Sequence, residues 1–142
     1  MEVSLDVGAS VLAVTAIIFS VYTWRRSSGL AAYSNIDSLY QELLKLGMEY
    51  PRFTESNLTK DYENQFSVDE LLRYNIYAFI SWNICETIHD QCGKSQEILN
   101  TWRPVVVAEN KLHRKWFDNP VNFHKFKEKF RTYITDSFEM EY

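Results

Sequence analysis

The sequence predicts an all-α protein in which one N-terminal transmembrane helix is followed by a cytoplasmic bundle of about four helices. Three observations carry this expectation. Val7 to Trp24, "VGASVLAVTAIIFSVYTW", runs for eighteen residues without a formal charge. At ~1.5 Å per residue it spans roughly 27 Å, close to the hydrocarbon thickness of a bilayer. Beyond it, apolar residues recur at helical spacing in segment after segment, and no run alternates with the period of a strand. The whole chain, 142 residues at 46% hydrophobic and 15% aromatic content, is rich enough to bury a core.

The anchor is assigned to residues 1–28. A cleavable leader has a basic start and a small-residue cleavage site after a shorter apolar run, whereas here Glu2 and Asp6 come first and Arg25 and Arg26 follow the run. Basic residues favour the cytoplasmic flank, so the N-terminus is expected outside and residues 29–142 inside. Tyr22 and Trp24 fall where an interfacial aromatic belt would lie. Ala9, Ala13, Ala16 and Ser20 are spaced four, three and four, a narrow stripe of small residues that would let another membrane helix approach closely.

Within 29–142, "SNIDSLYQELLKLGMEY" reads as the first bundle helix, with Ser34 or Asn35 at its start and Pro51 as its stop, continuing almost directly from the span. Residues 51–66 are polar without a sustained period and read as the longest loop. "SVDE", Ser67 to Glu70, is a capping box that opens a helix running to about Asp90. Gly93 suits the end of that helix and Ser95 the start of the next. Gln96 to Phe117 keeps helical spacing through Ile98, Leu99, Trp102, Val105, Val106, Leu112, Trp116 and Phe117, with Pro104 expected to kink or divide it. Asn119 before Pro120 caps a last helix whose one face carries Phe123, Phe126, Phe130, Tyr133, Ile134 and Phe138.

The segment "YNIYAFISWNICETIHD", Tyr74 to Asp90, combines a strongly apolar helix with a polar line through Asn75, Asn83, Glu86 and Asp90. The expectation is a buried polar stripe on a central helix, whose amides and carboxylates must find partners. A sharper alternative is a metal- or ligand-dependent sensor or enzyme centred on Glu86 and His89. These form E-x-x-H, and Glu109 with His113 offers a second carboxylate and imidazole one turn apart. Cys85, His89 and Cys92 also share a face, at a spacing compatible with a softer metal. Neither set is complete: a di-iron bundle needs two such units and two further glutamates, and a structural zinc site needs a fourth ligand. No metal or other cofactor is therefore expected, and no catalytic residue is assigned.

Cys85 and Cys92 lie about two helical turns apart in a compartment that keeps thiols reduced, so both are expected free. The sequon "NLT" at Asn57 to Thr59 is silent in that topology. Residues 29–110 carry six Lys or Arg against twelve Asp or Glu, whereas 111–135 carry seven against two. Lys111, Arg114, Lys115, Lys125, Lys127, Lys129 and Arg131 make up this basic block, read as a solvated surface or as an attraction to anionic headgroups. Nucleic acid is not an expected partner, because the whole chain is acidic and shows no reading motif.

The stretches "YPRF" (Tyr50 to Phe53), "YAFISWNICETIHD" (Tyr77 to Asp90), "TWRP" (Thr101 to Pro104), "HRKWF" (His113 to Phe117) and "FRTYI" (Phe130 to Ile134) together resemble a loosely defined group of small bacterial single-span, membrane-anchored helical proteins of unknown function. That resemblance implies the bacterial inner membrane as location and carries no catalytic residues. The expected function is a non-enzymatic accessory or interaction subunit, its partners being the membrane and other membrane-protein subunits or further copies of itself.

Overall fold

The computed structural model describes residues 2–92 and 96–138, with side chains from residue 16 onward except those of 25 and 26. Every described element is helical. The helices are α1 (Glu2–Glu49), α2 (Ser56–Thr59), α3 (Tyr62–Gln65), α4 (Val68–Cys92), α5 (Gln96–Asp118), α6 (Pro120–Phe123) and α7 (Glu128–Ser137), with a 3-10 turn at Pro51–Thr54. The chain divides into two compact units, Met1–Ser34 and Asn35–Tyr142, a boundary six residues later than the one expected from sequence. Among the described residues, no helix is long and apolar enough to cross a membrane. Residues 7–15 of the expected span have side chains outside the described set, Ala9 and Ala13 of the small-residue stripe among them; Ala16 and Ser20 are exposed.

In the unit Met1–Ser34, Ile17, Ile18, Phe19, Val21, Tyr22 and Trp24 are between 45% and 69% exposed. At ~100° per residue these six positions point to most of the helix circumference, and the remaining arc carries Ala16, Ser20 and Thr23. A helix that docks on a core hides one apolar stripe; this one hides none of its described large apolar side chains.

The unit Asn35–Tyr142 has an aromatic core with two centres. Tyr74 on α4 is ringed by Phe53, Tyr62 and Phe66 at centroid distances of 5.5, 5.2 and 4.8 Å. Phe117 on α5 meets Trp82, Phe123, Phe126 and Phe130 at 4.2, 5.4, 5.2 and 6.0 Å. Aromatic rings bury large areas at little rotamer cost, and tilted or edge-on pairs add to that burial. The α4 face that reaches the core is Tyr74, Tyr77, Ala78, Ser81, Trp82, Ile84, Cys85, Ile88 and Cys92, in which neighbours recur at steps of three and four.

Several boundaries differ from the sequence expectation, each for a physical reason. The expected loop 51–66 is ordered as three single turns, because Phe53, Thr59, Tyr62 and Phe66 each plunge into the core and polar residues fill the gaps between them. Pro104 does not divide α5. The carbonyl it leaves without a helical partner belongs to Asn100, and Asn100, Thr101, Arg103 and Pro104 all face solvent, so the loss falls on the side where desolvation costs least. The last helix is split, with α6 ending before His124 and α7 starting after Lys127. The turn lets Phe123, Phe126 and Phe130 converge on Phe117, which one continuous helix would not do. The capping box forms as expected: Ser67 N donates to Glu70 Oε2 at 2.9 Å and Glu70 N to Ser67 Oγ at 3.4 Å. Asn119 Oδ1 accepts from Val121 N at 3.1 Å, as a cap before Pro120 should.

Because Phe117 joins four rings at once, Phe117→Ala should destabilise the bundle by about 3–5 kcal/mol in urea unfolding. Asn83→Ala, on the exposed side of α4, should change stability by less than about 0.5 kcal/mol.

Candidate functional site

Three of the polar side chains that the bundle buries, Ser81, Glu109 and His113, meet where α5 faces α4. On α5 the core line Trp102, Val106, Glu109, Asn110, His113, Arg114, Trp116 and Phe117 is interrupted by four polar side chains. His113 is fully buried. Its Nδ1 lies 2.9 Å from the Tyr74 hydroxyl and its backbone carbonyl accepts from Trp82 Nε1 at 3.1 Å. Glu109 Oε2 accepts from the Ser81 hydroxyl at 2.6 Å and lies 3.5 Å from His113 Nε2, which has no hydrogen-bond partner among the described residues.

The protonation states follow from burial. Desolvation pushes the Tyr74 phenol far up, with smaller contributions from Tyr62, Tyr77 and Glu109, so it keeps its proton and donates it to His113 Nδ1. The imidazole proton is then on Nε2, aimed towards Glu109. Burial holds His113 down at about 3. Burial also pushes the Glu109 carboxyl up, partly offset by the Ser81 hydrogen bond. Although His113 and Glu109 lie within ion-pair distance, a histidine held so low is neutral at pH 7, and the contact is a polar one inside the core rather than a salt bridge. Tyr40 and Tyr77 feel the same carboxyl, which adds to the burial that raises their phenols. The cluster joins α5 to α4 through the Tyr74–His113 and Ser81–Glu109 hydrogen bonds, and all four side chains are buried.

Of the four residues weighed as metal ligands, Glu109 and His113 are together in the core, whereas Glu86 and His89 are half-buried and engaged at the start of α7. Glu86 Oε1 accepts from Lys127 N at 2.8 Å, Asp90 pairs with the Lys127 ammonium, and His89 lies beside Asp90 and against the ring of Tyr133. Among the described residues no three His, Cys, Asp or Glu side chains are grouped to hold a metal ion. Cys85 and Cys92 are both free and buried.

The expected buried stripe requires correction. Asn83 and Asp90 are exposed, and Asn75 and Glu86 are half-buried at the rim, where Asn75 Oδ1 accepts from Trp116 Nε1 at 2.8 Å. The reason is rotational: α4 turns its Tyr74–Ser81–Cys85 line inward, and the polar line falls about a quarter-turn or more away. Asn75, Glu86 and Asp90 still help to fix how α4 docks, by reaching sideways to α5 and to the start of α7.

Of the basic block, Lys111, Lys125, Lys127 and Lys129 are exposed and Lys115 and Arg131 half-buried, so the correction falls on Arg114. Arg114 is not on the surface: its Nε is 2.8 Å from both Asp118 oxygens, and Nη1 donates to Asn110 Oδ1 and to the Phe138 carbonyl at 3.1 and 3.2 Å. Lys115 faces Asp61 at 3.7 Å, Lys125 leans over the Trp116 ring, Lys127 serves Asp90, and Arg131 lies over Phe123. Lys111 and Lys129 stand exposed. Of these cations, Arg114, Lys115 and Lys127 pair with carboxylates of the bundle.

Helix α7 is thereby held at both ends, with the Glu86 carboxylate at its N-terminus and the Arg114 guanidinium on the carbonyl of its C-cap residue, Phe138. Both charges suit the helix dipole. The buried polar side chains that sequence reasoning missed are Thr59, Ser81, Asn110, Arg114 and Asn122. For Asn110 a signal existed, since the apolar line of α5 lapses between Val106 and Trp116 where Glu109, Asn110 and His113 occupy the inward positions.

Glu86→Ala should cost about 1–2 kcal/mol and should speed amide exchange in α7 before it does so in α5. The pH dependence of folding should have two arms. His113 has a depressed folded pKa, so its stabilising contribution is complete above about 6.5 and is lost as pH falls towards 3, a loss on the order of 4–5 kcal/mol. Glu109 has a raised folded pKa, so its contribution is complete below the usual carboxylate range and is lost as pH rises through the elevated value. Urea midpoints from pH 4 to 9 should therefore show a shallower acid arm for His113→Gln and a shallower alkaline arm for Glu109→Gln.

No protein-family model matches the chain, and neither a curated protein nor a solved structure is significantly similar to it.

Proposed function

We propose that the protein is a non-enzymatic, membrane-anchored interaction subunit, with its helical bundle in the cytoplasm of a bacterial cell. The observation that carries the anchoring is the exposure of large apolar side chains around the helix from Ile17 to Trp24, within an eighteen-residue stretch that has no charged residue. In water such a helix would leave several hundred Å2 of apolar surface uncovered, on the order of what a typical soluble monomer exposes in its largest patch or more. Lipid around it removes that cost. Arg25 and Arg26 favour the orientation with the bundle inside.

The non-enzymatic part is supported by the core. Its ionisable groups are engaged with one another and buried, whereas general acid–base or nucleophilic work needs a group within hydrogen-bond reach of a substrate. An anchored bundle without a reactive group acts through what it binds, and the small residues Ala16 and Ser20, continuing the Ala9 and Ala13 spacing, offer a close-packing face for another membrane helix.

Full-length protein in isolated membranes should stay in the pellet after alkaline carbonate washing and enter solution only with detergent. On blue-native gels under mild detergent it should migrate above the mass of one chain. Intact chain in the aqueous fraction without detergent would sink the anchoring, and a lone monomer under mild detergent would sink the subunit reading.

A further inference from the structure

The outward side of α4 carries an apolar stripe that the bundle itself leaves uncovered. Val68, Leu72, Ile76 and Phe79 follow one another at steps of four, four and three, one line along the helix, and are 90%, 63%, 56% and 37% exposed. Beside the stripe lies a groove of about 160 Å3, whose walls include Leu46, Tyr50, Ile76 and Ile80. Ile76 belongs to both. We propose that this face pairs with the same face of a second copy of the chain.

Three features favour a second copy over an unrelated partner. The surface is self-complementary: it supplies a ridge of aliphatic side chains and, next to it, a groove large enough to take one of them. A two-fold contact requires one patch to carry both knob and hole. Beside Leu72 its flank is also charge-balanced, since Asp69 and Arg73 pair at 3.0 Å within one chain. Two copies can exchange these partners without leaving either charge unpaired.

The third feature is size. The four side chains leave on the order of 400 Å2 of apolar surface, the scale of a functional patch on a monomer. That is about half of the ~800 Å2 per partner in a standard stable interface. Such a face is too small to hold free chains together firmly in solution, but it is adequate when the chains share one membrane plane and their effective concentration is raised. This step rests on the anchored reading above.

The test uses the full chain in phosphatidylcholine vesicles at low protein density, with copper-phenanthroline as oxidant. Both native thiols are buried, so an introduced surface thiol is the reactive one. Leu72→Cys, in the middle of the stripe, should yield a disulfide-linked species of twice the chain mass. Lys129→Cys, exposed on α7, should give at least fivefold less. The double variant Leu72→Cys/Ile76→Asp should lose at least fivefold of the product while keeping the helical circular dichroism and melting of the single variant. Leu72→Cys linking no faster than Lys129→Cys would overturn the pairing, as would a product indifferent to Ile76→Asp. In native membranes, a Leu72→Cys adduct to a different protein in place of the double-mass band would overturn it too. Vesicle flotation separates the two readings: a chain that floats but stays monomeric removes only the pairing, whereas a chain that does not float removes the anchoring and the pairing with it.

Discussion

The seam between α4 and α5 is the constraint on which the rest of the bundle depends. Two ionisable side chains of α5, Glu109 and His113, sit on its inward face, where each would cost several kcal/mol if left without a partner. Helix α4 answers with three groups in register: the Tyr74 hydroxyl, the Ser81 hydroxyl and the Trp82 indole. Hydrophobic burial tolerates a helix that slides or rotates, because one ring can replace another. Hydrogen bonds of 2.6 to 3.1 Å to fixed atoms do not. The polar contacts therefore set the rotation and depth of α4 on α5, and the aromatic clusters around Tyr74 and Phe117 supply the bulk of the burial at either side.

Once α4 and α5 are fixed, the smaller elements have little freedom. The turns between Pro51 and Phe66 cover the Tyr74 cluster, and α7 covers the Phe117 cluster. Helix α7 is only ten residues long, below the length at which an isolated helix is stable in water. Its two ends are met by Glu86 from α4 and Arg114 from α5, so it is tied by charge to both helices of the seam. Of the charges that look like a surface block in sequence order, folding takes Arg114 into the core and ties Lys127 to Asp90.

What the bundle leaves over is apolar. The described large apolar residues of the Met1–Ser34 unit, and the outer stripe of α4 in the other unit, are exposed without a covering element of the same unit. These surfaces are where interaction with something else is most favourable, and both the proposed anchoring and the proposed self-pairing draw on that single physical preference.

Much of this was legible in the residues themselves. Helical periodicity marked every long helix, the Ser67–Glu70 box and Asn119–Pro120 marked two starts, and the charge-free run from Val7 to Trp24 stands out without any coordinates, because these signals are local and need only the 3.6-residue repeat or one turn of backbone. Which face of α4 turns inward was not legible: the apolar residues nearly encircle that helix, and only the positions of Glu109 and His113 on a neighbour choose the Tyr74–Ser81 line over the Asn83–Asp90 line. The burial of Arg114, the break before α7 and the ordering of residues 51–66 were likewise decided by tertiary structure. Each depends on partners 20 to 50 or more positions away in the chain, and no local rule of spacing reaches that far.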